Sequence, residues 1–235
     1  MQMQMNGLPI EKQGYRFEHC SDCGLAYVAP MPEDEAIHAF YQDYHKSHQY
    51  QAKLASKIRR ARNRIRQANL WRRAGTFLDV GCNVGFAVEA ARSMGFDAKG
   101  IDVDEDGIEA AKAQFPQCAF ENIGIEALAE RKETYDFLYC SEVIEHLSSV
   151  EGFLRGIAEV MHVDSLMLLT TPDIGHRSLP KDWDKLMEWD SVRPPEHLLY
   201  FGRASLQAAL ERNGLRVKRF QRSAKPTLKV LVTKM

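Results

Sequence analysis

The sequence predicts an α/β domain: a doubly wound, mainly parallel sheet of about seven strands, closed by a C-terminal antiparallel hairpin and preceded by a mostly helical N-terminal segment. Three observations predict it. From Thr76 onward, short apolar and β-branched runs alternate with segments of helical period, the pattern of strands joined by helical crossovers. Two successive runs, Thr76-Phe77-Leu78-Asp79-Val80 and Gly100-Ile101-Asp102, carry an acid at their carboxyl ends, which is where open parallel sheets hold ligands. The last two runs follow one another with no helix between them.

The elements follow in order. Thr76 to Val80 is the first strand, and Phe86 to Met94 is the first helix, closed by Gly95. Ala98 to Asp102 is the second strand. Asp106 to Gln114 is helical, with Pro116 marking its end, and Ala119 to Ile123 is a short third strand. Tyr135 to Cys140 is a continuous apolar run, as expected of a strand buried on both faces. Val150 to Met161 is helical, and Ser165 to Thr170 is a fifth strand stopped by Pro172. A last helix over Ala204 to Asn213 is capped by Gly214. The hairpin strands lie around Leu215 to Phe220 and Leu228 to Thr233.

Two parts break this rhythm, and they set the domain organisation. Residues 1–75 form an N-terminal segment; residues 76–235 form the ligand-binding domain. Within it, Asp173 to Phe201 is a long insertion with three Pro and two Trp. Long connections in compact domains tend to be lids or binding loops, so residues 173–201 are expected to face the substrate.

The chain has 235 residues and a net charge of −1, so nothing in the global balance calls for nucleic acid or a membrane. No run of apolar residues is long enough to span a bilayer. The start, Met1-Gln2-Met3-Gln4-Met5, lacks a basic region followed by an apolar stretch. Five scattered cysteines do not form a disulfide framework. A cytoplasmic location is the expectation.

The turn after the first strand, Gly81-Cys82-Asn83-Val84-Gly85-Phe86, departs from the dinucleotide fingerprint: Asn83 stands at its second Gly and Phe86 at its third. A loop pressed against a pyrophosphate does not suit those residues. S-adenosylmethionine has no phosphate, and needs only a backbone that can approach a short amino-acid tail. Gly81 and Gly85 suffice for that, and Asn83 tolerates a left-handed conformation. Asp79 is placed to hold the cofactor's ammonium group. Asp102, about 20 residues on, can accept both ribose hydroxyls. The expected chemistry is methyl transfer.

Together these segments resemble the class I S-adenosylmethionine-dependent methyltransferases, in the branch containing the ubiquinone-biosynthesis O-methyltransferase type and many sugar and natural-product methyltransferases. The resemblance covers about Leu25 to the C-terminus. It rests on Asp79 to Gly85, on Gly100-Ile101-Asp102, on Tyr135-Asp136-Phe137 running into Glu142-Val143-Ile144-Glu145-His146-Leu147, and on Pro195-Glu196-His197-Leu198-Leu199-Tyr200-Phe201. It implies a Rossmann-like fold and a cofactor-binding set of Asp79, Gly81, Cys82, Asn83, Gly85, Phe86, Asp102, Val103, Ile123, Gly124, Ile125 and Ser141. Asp79, Gly81 and Gly85 would hold the methionine part and Asp102 the ribose, while Ile123, Gly124 and Ile125 would flank the adenine. The family often has an acid near Gly124, so base recognition here falls to backbone groups and apolar contact. Ser141 and Glu142 would lie near the reacting methyl.

Methyl transfer is an in-line displacement in which the enzyme aligns the nucleophile and, for a hydroxyl, removes its proton. His197, on a Pro-stiffened segment returning over the cofactor, is a candidate base or a loop-pinning residue. His146 is a candidate at the pocket's edge, with loop fixing as the blander reading. Glu142 can orient substrate. Glu145 reads as a helix-start acid. Trp183, Trp189 and Tyr200 form either a substrate wall or core. No metal is assigned at this site.

In the N-terminal segment, Cys20-Ser21-Asp22-Cys23-Gly24 has a zinc-knuckle shape, but no second Cys pair accompanies it, which disfavours zinc. Pro30 to Tyr50 reads as a lid helix carrying Phe40, Tyr41, Tyr44 and Tyr50. Lys53 to Arg73 carries nine basic residues and no acid, with Leu54, Ile58, Ala61, Ile65 and Ala68 as one apolar stripe. A solvated face packed on the domain is the blander reading. A cradle for an anionic substrate, peripheral contact with an anionic membrane surface and contact with nucleic acid stay open.

The expected function is therefore methylation of a small-molecule or glycan-type acceptor, most simply at oxygen. Two alternatives remain: a methyltransferase for RNA or protein docked by helix 53–73, and a non-catalytic S-adenosylmethionine-binding partner. The aromatic-and-basic interleaving of RNA-binding modules is not evident, which disfavours nucleic acid. The oligomeric state is not legible.

Overall fold

The computed structural model describes residues 4–5, 8–33, 54–68 and 75–235. Its centre is a seven-stranded sheet. Five strands run parallel: β6 (Thr76–Val80), β7 (Asp97–Asp102), β8 (Ala119–Asn122), β9 (Tyr135–Ser141) and β10 (Met161–Pro172). β12 (Leu215–Phe220) and β13 (Thr227–Lys234) close it as an antiparallel hairpin on β10. The order is β12-β13-β10-β9-β6-β7-β8. The chain therefore winds outward from β6 in one direction and from β9 in the other. Their shared edge is the switch point, where a crevice opens above the strand ends.

Side chains alternate between the sheet's faces, so neighbouring residues join different cores. Phe77, Phe137 and Leu168 pack with α1 (Leu54–Ala68), α2 (Phe86–Arg92) and α3 (Glu105–Gln114). Leu78, Leu138 and Leu169 pack with α4 (Ile125–Ala129), α5 (Glu151–Glu159) and α7 (Arg203–Arg212) on the other face. The remaining helix, α6 (Trp183–Met187), lies in the insertion. Helices on both faces and a closing hairpin are the architecture expected from the sequence.

The N-terminal segment adds what the sequence reading did not assign. Beside a two-residue pair, β1 (Gln4–Met5) with β2 (Leu8–Pro9), the chain forms β3 (Glu11–Lys12), β4 (Tyr15–His19) and β5 (Ala26–Ala29). The second sheet is completed by β11 (Leu199–Tyr200), the last residues of the 173–201 insertion, in the order β11-β5-β4-β3. Phe17, Ala26 and Val28 bury one face. The 8–33 region is thus an antiparallel sheet, where a turn leading into helix was expected. Strands this short carry little local signal, and one of their partners comes from far along the chain. The helix expected over Pro30–Tyr50 lies largely outside the described residues, with Phe40, Tyr41, Tyr44 and Tyr50.

The basic segment forms α1 as expected. Ala61, Ile65 and Ala68 are buried against the main sheet and α2, while Arg59, Arg60, Arg62 and Arg66 are exposed.

Candidate active site

The site lies at the carboxyl ends of β6, β7, β9 and β10. The turn from β6 into α2 is held by two bonds to one carbonyl: the N–H groups of Gly81 and Cys82 both donate to Ile101 O, at 2.9 and 3.0 Å. Gly81 and Gly85 have φ of 75° and 82°, which favours glycine. Each also has a second constraint. A Cβ on Gly81 would lie 2.4 Å from Val143 Cγ2, and one on Gly85 would lie 2.5 Å from Phe120 Cζ. Asn83 takes a left-handed φ of 46°, and its Oδ1 accepts the Val84 N–H at 2.8 Å. The turn therefore accommodates the departure at Asn83.

Two acids flank this turn. Asp102 accepts the Asn83 N–H at 2.7 Å through Oδ2 and the Asp104 N–H at 3.0 Å through Oδ1. Both oxygens of Asp102 thus face the turn and the start of the next helix. Asp79 is only 3% exposed. Burial, and then the charge of Asp102, push its carboxyl well above the ordinary range. A cation placed between these acids would relieve both effects.

At the end of β9 a hydrogen-bonded line crosses the site. Arg64 of α1 donates to Ser141 Oγ at 2.9 Å. Ser141 and Thr170 hydroxyls are 2.8 Å apart, and Thr170 Oγ1 donates to Glu142 Oε1 at 2.7 Å. A hydroxyl has one proton. Thr170 uses its own on the carboxylate, so Ser141 is the donor between them. Every donor then points toward Glu142. Glu142 itself is exposed and has φ of 59°, an unusual backbone state for a non-glycine residue and one that clusters at functional sites.

The next residue of β10 points the other way. Thr171 donates to Glu145 Oε2 at 3.0 Å. Glu145 lies in a 3₁₀ turn, Ile144–His146, and is fully buried. The structure thus corrects its reading as a helix-start acid, because the next helix begins only at Glu151. His146 Nδ1 lies 2.6 Å from Glu196 O, and His197 Nδ1 lies 2.8 Å from Ser191 O. The two rings meet edge to face, with centroids 4.7 Å apart at 82°. His197 Nε2 accepts from Arg193 at 3.2 Å. Desolvation lowers the pKa of His146 to about 4. It lowers that of His197 to about 3, with the His146 and Arg193 charges adding to the effect. Both rings are neutral imidazoles. Among the described residues, Glu145, His146 and His197 each bring one potential ligand atom within 4.8 Å of the others. Cys20 and Cys23 instead lie in the turn between β4 and β5, where Gly24 N–H donates to Cys20 O at 2.9 Å.

The structure brings together most of the residues singled out in the sequence. Asp79, Gly81, Asn83, Gly85 and Asp102 gather at the turn after β6, and Ser141, Glu142 and His146 gather at the end of β9, with His197 packed on His146. Three others point elsewhere. The Cys82 thiol is buried beneath the turn beside Gly100, leaving only its backbone to face a ligand. Phe86 packs edge-on against Phe115 with Lys57 over its ring. Ile125 is buried in the core, so Ile123 and Gly124 are the members of that trio nearer the surface. Val103 is 66% exposed, with its Cγ1 3.6 Å from where a Cβ on Gly124 would lie. Trp183 and Trp189 are partly buried against the core, and the Tyr200 hydroxyl donates to His197 O at 2.6 Å. Sequence reasoning missed Arg64, Thr170, Thr171 and Arg193, whose roles depend on contacts between distant segments.

The profile of a family described as "Methyltransferase domain" matches residues 47–219. The chain belongs to the class I S-adenosylmethionine-dependent methyltransferases. The ubiquinone biosynthesis O-methyltransferase of Brucella anthropi is 28% identical over 221 residues, covering 85% of this chain and 81% of that protein. The corresponding protein of Rhizobium rhizogenes is 35% identical over 98 residues, and there the match spans 40% of each. The 1,6-didemethyltoxoflavin-N1-methyltransferase of Burkholderia thailandensis has the same fold, with a TM-score of 0.66 at 15% identity over 92% of this chain and 98% of that one. The mitomycin 7-O-methyltransferase MmcR aligns with a TM-score of 0.60 at 19% identity, over 78% of this chain and 54% of its own. In this methyltransferase no helix among the described residues is long and apolar enough to cross a membrane.

Proposed function

We propose that the protein moves a methyl group from S-adenosylmethionine to a hydroxyl of a small-molecule or glycan-type acceptor. The observation that carries this reading is the donor line Arg64–Ser141–Thr170–Glu142. It presents an exposed carboxylate, fixed in orientation, at the switch point beside the cofactor crevice. A carboxylate held this way accepts a hydrogen bond from an acceptor hydroxyl and aligns its oxygen for in-line attack. Alignment is the larger part of the catalytic demand, of order 7–11 kcal/mol in ideal cases. The similarity to ubiquinone biosynthesis O-methyltransferases supports oxygen as the nucleophile.

In this reading Asp79 and the Gly81–Gly85 turn hold the amino-acid end of the cofactor, and Asp102 holds the ribose. Val103, Ile123 and Gly124 flank the adenine. His146 and His197 shape the acceptor side. With both of its nitrogens engaged, His197 in this arrangement has no lone pair turned to a substrate proton, which moves the proton-accepting role to Glu142.

The test is label transfer. The protein is incubated with methyl-labelled S-adenosylmethionine and a fractionated extract of its own host. Label in the small-molecule, lipid or glycan fraction is expected. Label removed by nuclease or protease would replace this reading with a macromolecular acceptor docked on α1.

A further inference from the structure

We propose that Lys229, with Arg64 and Lys225 around it, forms an anion-binding subsite, and that the methyl acceptor is a hydroxyl compound carrying a carboxylate or phosphate there. Assigning the anion to the acceptor rests on the methyl-transfer reading above; the subsite itself does not.

The first observation is a lysine where the strand pattern calls for an apolar residue. In β13, Leu228, Val230 and Val232 belong to one core and Leu231 to the other. Side chains alternate along a strand, so Lys229 shares the face of Leu231. The register then fixes its neighbours. Leu231 stands opposite Leu168, which stands beside Tyr139, and all three are buried. One rung nearer the carboxyl ends of the parallel strands, Lys229 stands opposite Thr170, which stands beside Ser141. The apolar core of this face therefore ends in a polar rung, Ser141–Thr170–Lys229. Its first two members belong to the donor line that runs to Glu142. Lys229 is on an inner strand, between β10 and β12, so it does not guard a sheet edge against pairing. Its backbone is held in place: the Gln221 N–H donates to its carbonyl at 2.7 Å.

The second observation is the charge around it. Arg64 reaches the same rung from α1, and its Nη1 donates to Ser141 Oγ at 2.9 Å and to the Tyr139 hydroxyl at 3.3 Å. Among the described residues its Nε and Nη2 make no hydrogen bond. That planar edge is the one that grips a carboxylate or phosphate with two parallel bonds. Lys229 is half-buried. Its pKa is lowered by burial and then by the charge of Arg64; Glu142 opposes this and Lys225 adds to it. Three cations thus stand near one carboxylate, which already takes a hydrogen bond from Thr170. Like charges in a partly desolvated site repel, and an anion placed among them relieves that repulsion.

The spacing limits the acceptor. Neighbouring strands are about 4.8 Å apart, so the backbones of Ser141 and Lys229 are about 10 Å apart. A lysine arm and one small ring fill that gap. Hydroxybenzoates, uronic acids and sugar phosphates place an anion and a hydroxyl on one ring in this way.

The test has two arms. In the first, 2-hydroxybenzoate and, separately, inorganic phosphate are titrated in calorimetry into the full chain saturated with S-adenosylhomocysteine, with phenol as the neutral control. One anion per chain is expected, the tighter of the two naming the preferred group, and phenol should bind about 10-fold more weakly or worse. Lys229→Met should weaken anion binding about 10-fold or more, and Lys229→Arg should restore most of it. S-adenosylhomocysteine affinity should be the same in all three proteins, which also shows that they are folded. In the second arm, host extract is separated on an anion-exchange resin before label transfer. Label should enter the retained fraction, and Lys229→Met should raise the acceptor KM with kcat nearly kept. If neither anion binds through Lys229, or if label enters only the unretained fraction, the proposal is overturned. A loss of S-adenosylhomocysteine affinity in Lys229→Met equal to its loss of anion binding also overturns it, by giving Lys229 to the cofactor's own carboxylate. Anion binding through Lys229 with no label in any fraction would support the subsite and sink the methyl-transfer reading instead.

Discussion

Arg64 donates to the Ser141 hydroxyl at 2.9 Å, joining a helix on the outer layer to the end of the central strand β9. The basic helix is therefore more than a solvated face, because one of its arginines reaches the site. Arg64→Met keeps much of the apolar stem and removes the donor. Charge-assisted bonds are worth about 1.5–3 kcal/mol, so acceptor kcat/KM is expected to fall roughly 10-fold or more. S-adenosylhomocysteine affinity in calorimetry should barely change. Equal losses in both would assign Arg64 to cofactor binding or to folding.

Asp102→Ala should weaken cofactor binding by more than about 10-fold, since a carboxylate accepting ribose hydroxyls makes charge-assisted bonds. Unchanged affinity would remove the ribose from Asp102.

Asp79 gives a pH prediction with a definite sign. Its folded-state pKa is raised by burial and by Asp102. As a group with raised pKa, it contributes stability below its unfolded pKa that is lost as pH rises through the folded value. Asp79→Asn should therefore stabilise the cofactor-free protein at neutral pH and weaken its affinity for S-adenosylmethionine. In the parent, cofactor affinity should rise with pH as Asp79 ionises, with proton release visible in buffers of different ionisation enthalpy. Affinity independent of pH would place the cofactor's positive charge elsewhere.

Gly81→Ala combines a left-handed φ with a Cβ 2.4 Å from Val143. The expected loss is about 2–4 kcal/mol in urea unfolding. Adding Val143→Ala should recover the steric part and leave about 1–2 kcal/mol of backbone strain. A double variant as unstable as the sum of its parts would contradict that division.

Glu121 reports on acid stability. Hydrogen bonds from Arg131 and then Lys99 hold its pKa down to about 2. The depressed value stabilises the fold above the unfolded pKa of about 4.3, and that contribution disappears as pH falls toward 2. The pair is partly exposed, so the effect is no more than about 1 kcal/mol. Glu121→Gln should flatten the stability profile between those limits; an unchanged profile would mean that the ion pairs contribute nothing.

The main sheet was legible because each strand carries its own pattern. Thr76–Val80 and Leu215–Phe220 coincide with the structure. The turn after β6 was legible because Gly81, Gly85 and Asp102 sit at fixed spacing. Helix α4 was missed because five residues show no period. The burial of Glu145 was hidden for another reason. It depends on Thr171 and Leu198, which are distant in sequence, and Glu-x-x-Glu-His gives no indication of which acid turns inward. The N-terminal sheet was hidden because Leu199 pairs with Tyr27 from far along the chain.

That pairing has a consequence for how the protein is made. On the ribosome, β4 and β5 can meet as a hairpin as soon as both have emerged. The outer edge of β5, with the Val28 N–H that will bond Leu198 O at 3.0 Å, must wait until residues near 198 have been synthesised. An open strand edge is a template for pairing with another chain, and distant closures form late. The edge of β5 is thus left exposed while everything between Val28 and Leu198 is translated. That interval is when a chaperone would find the most to protect.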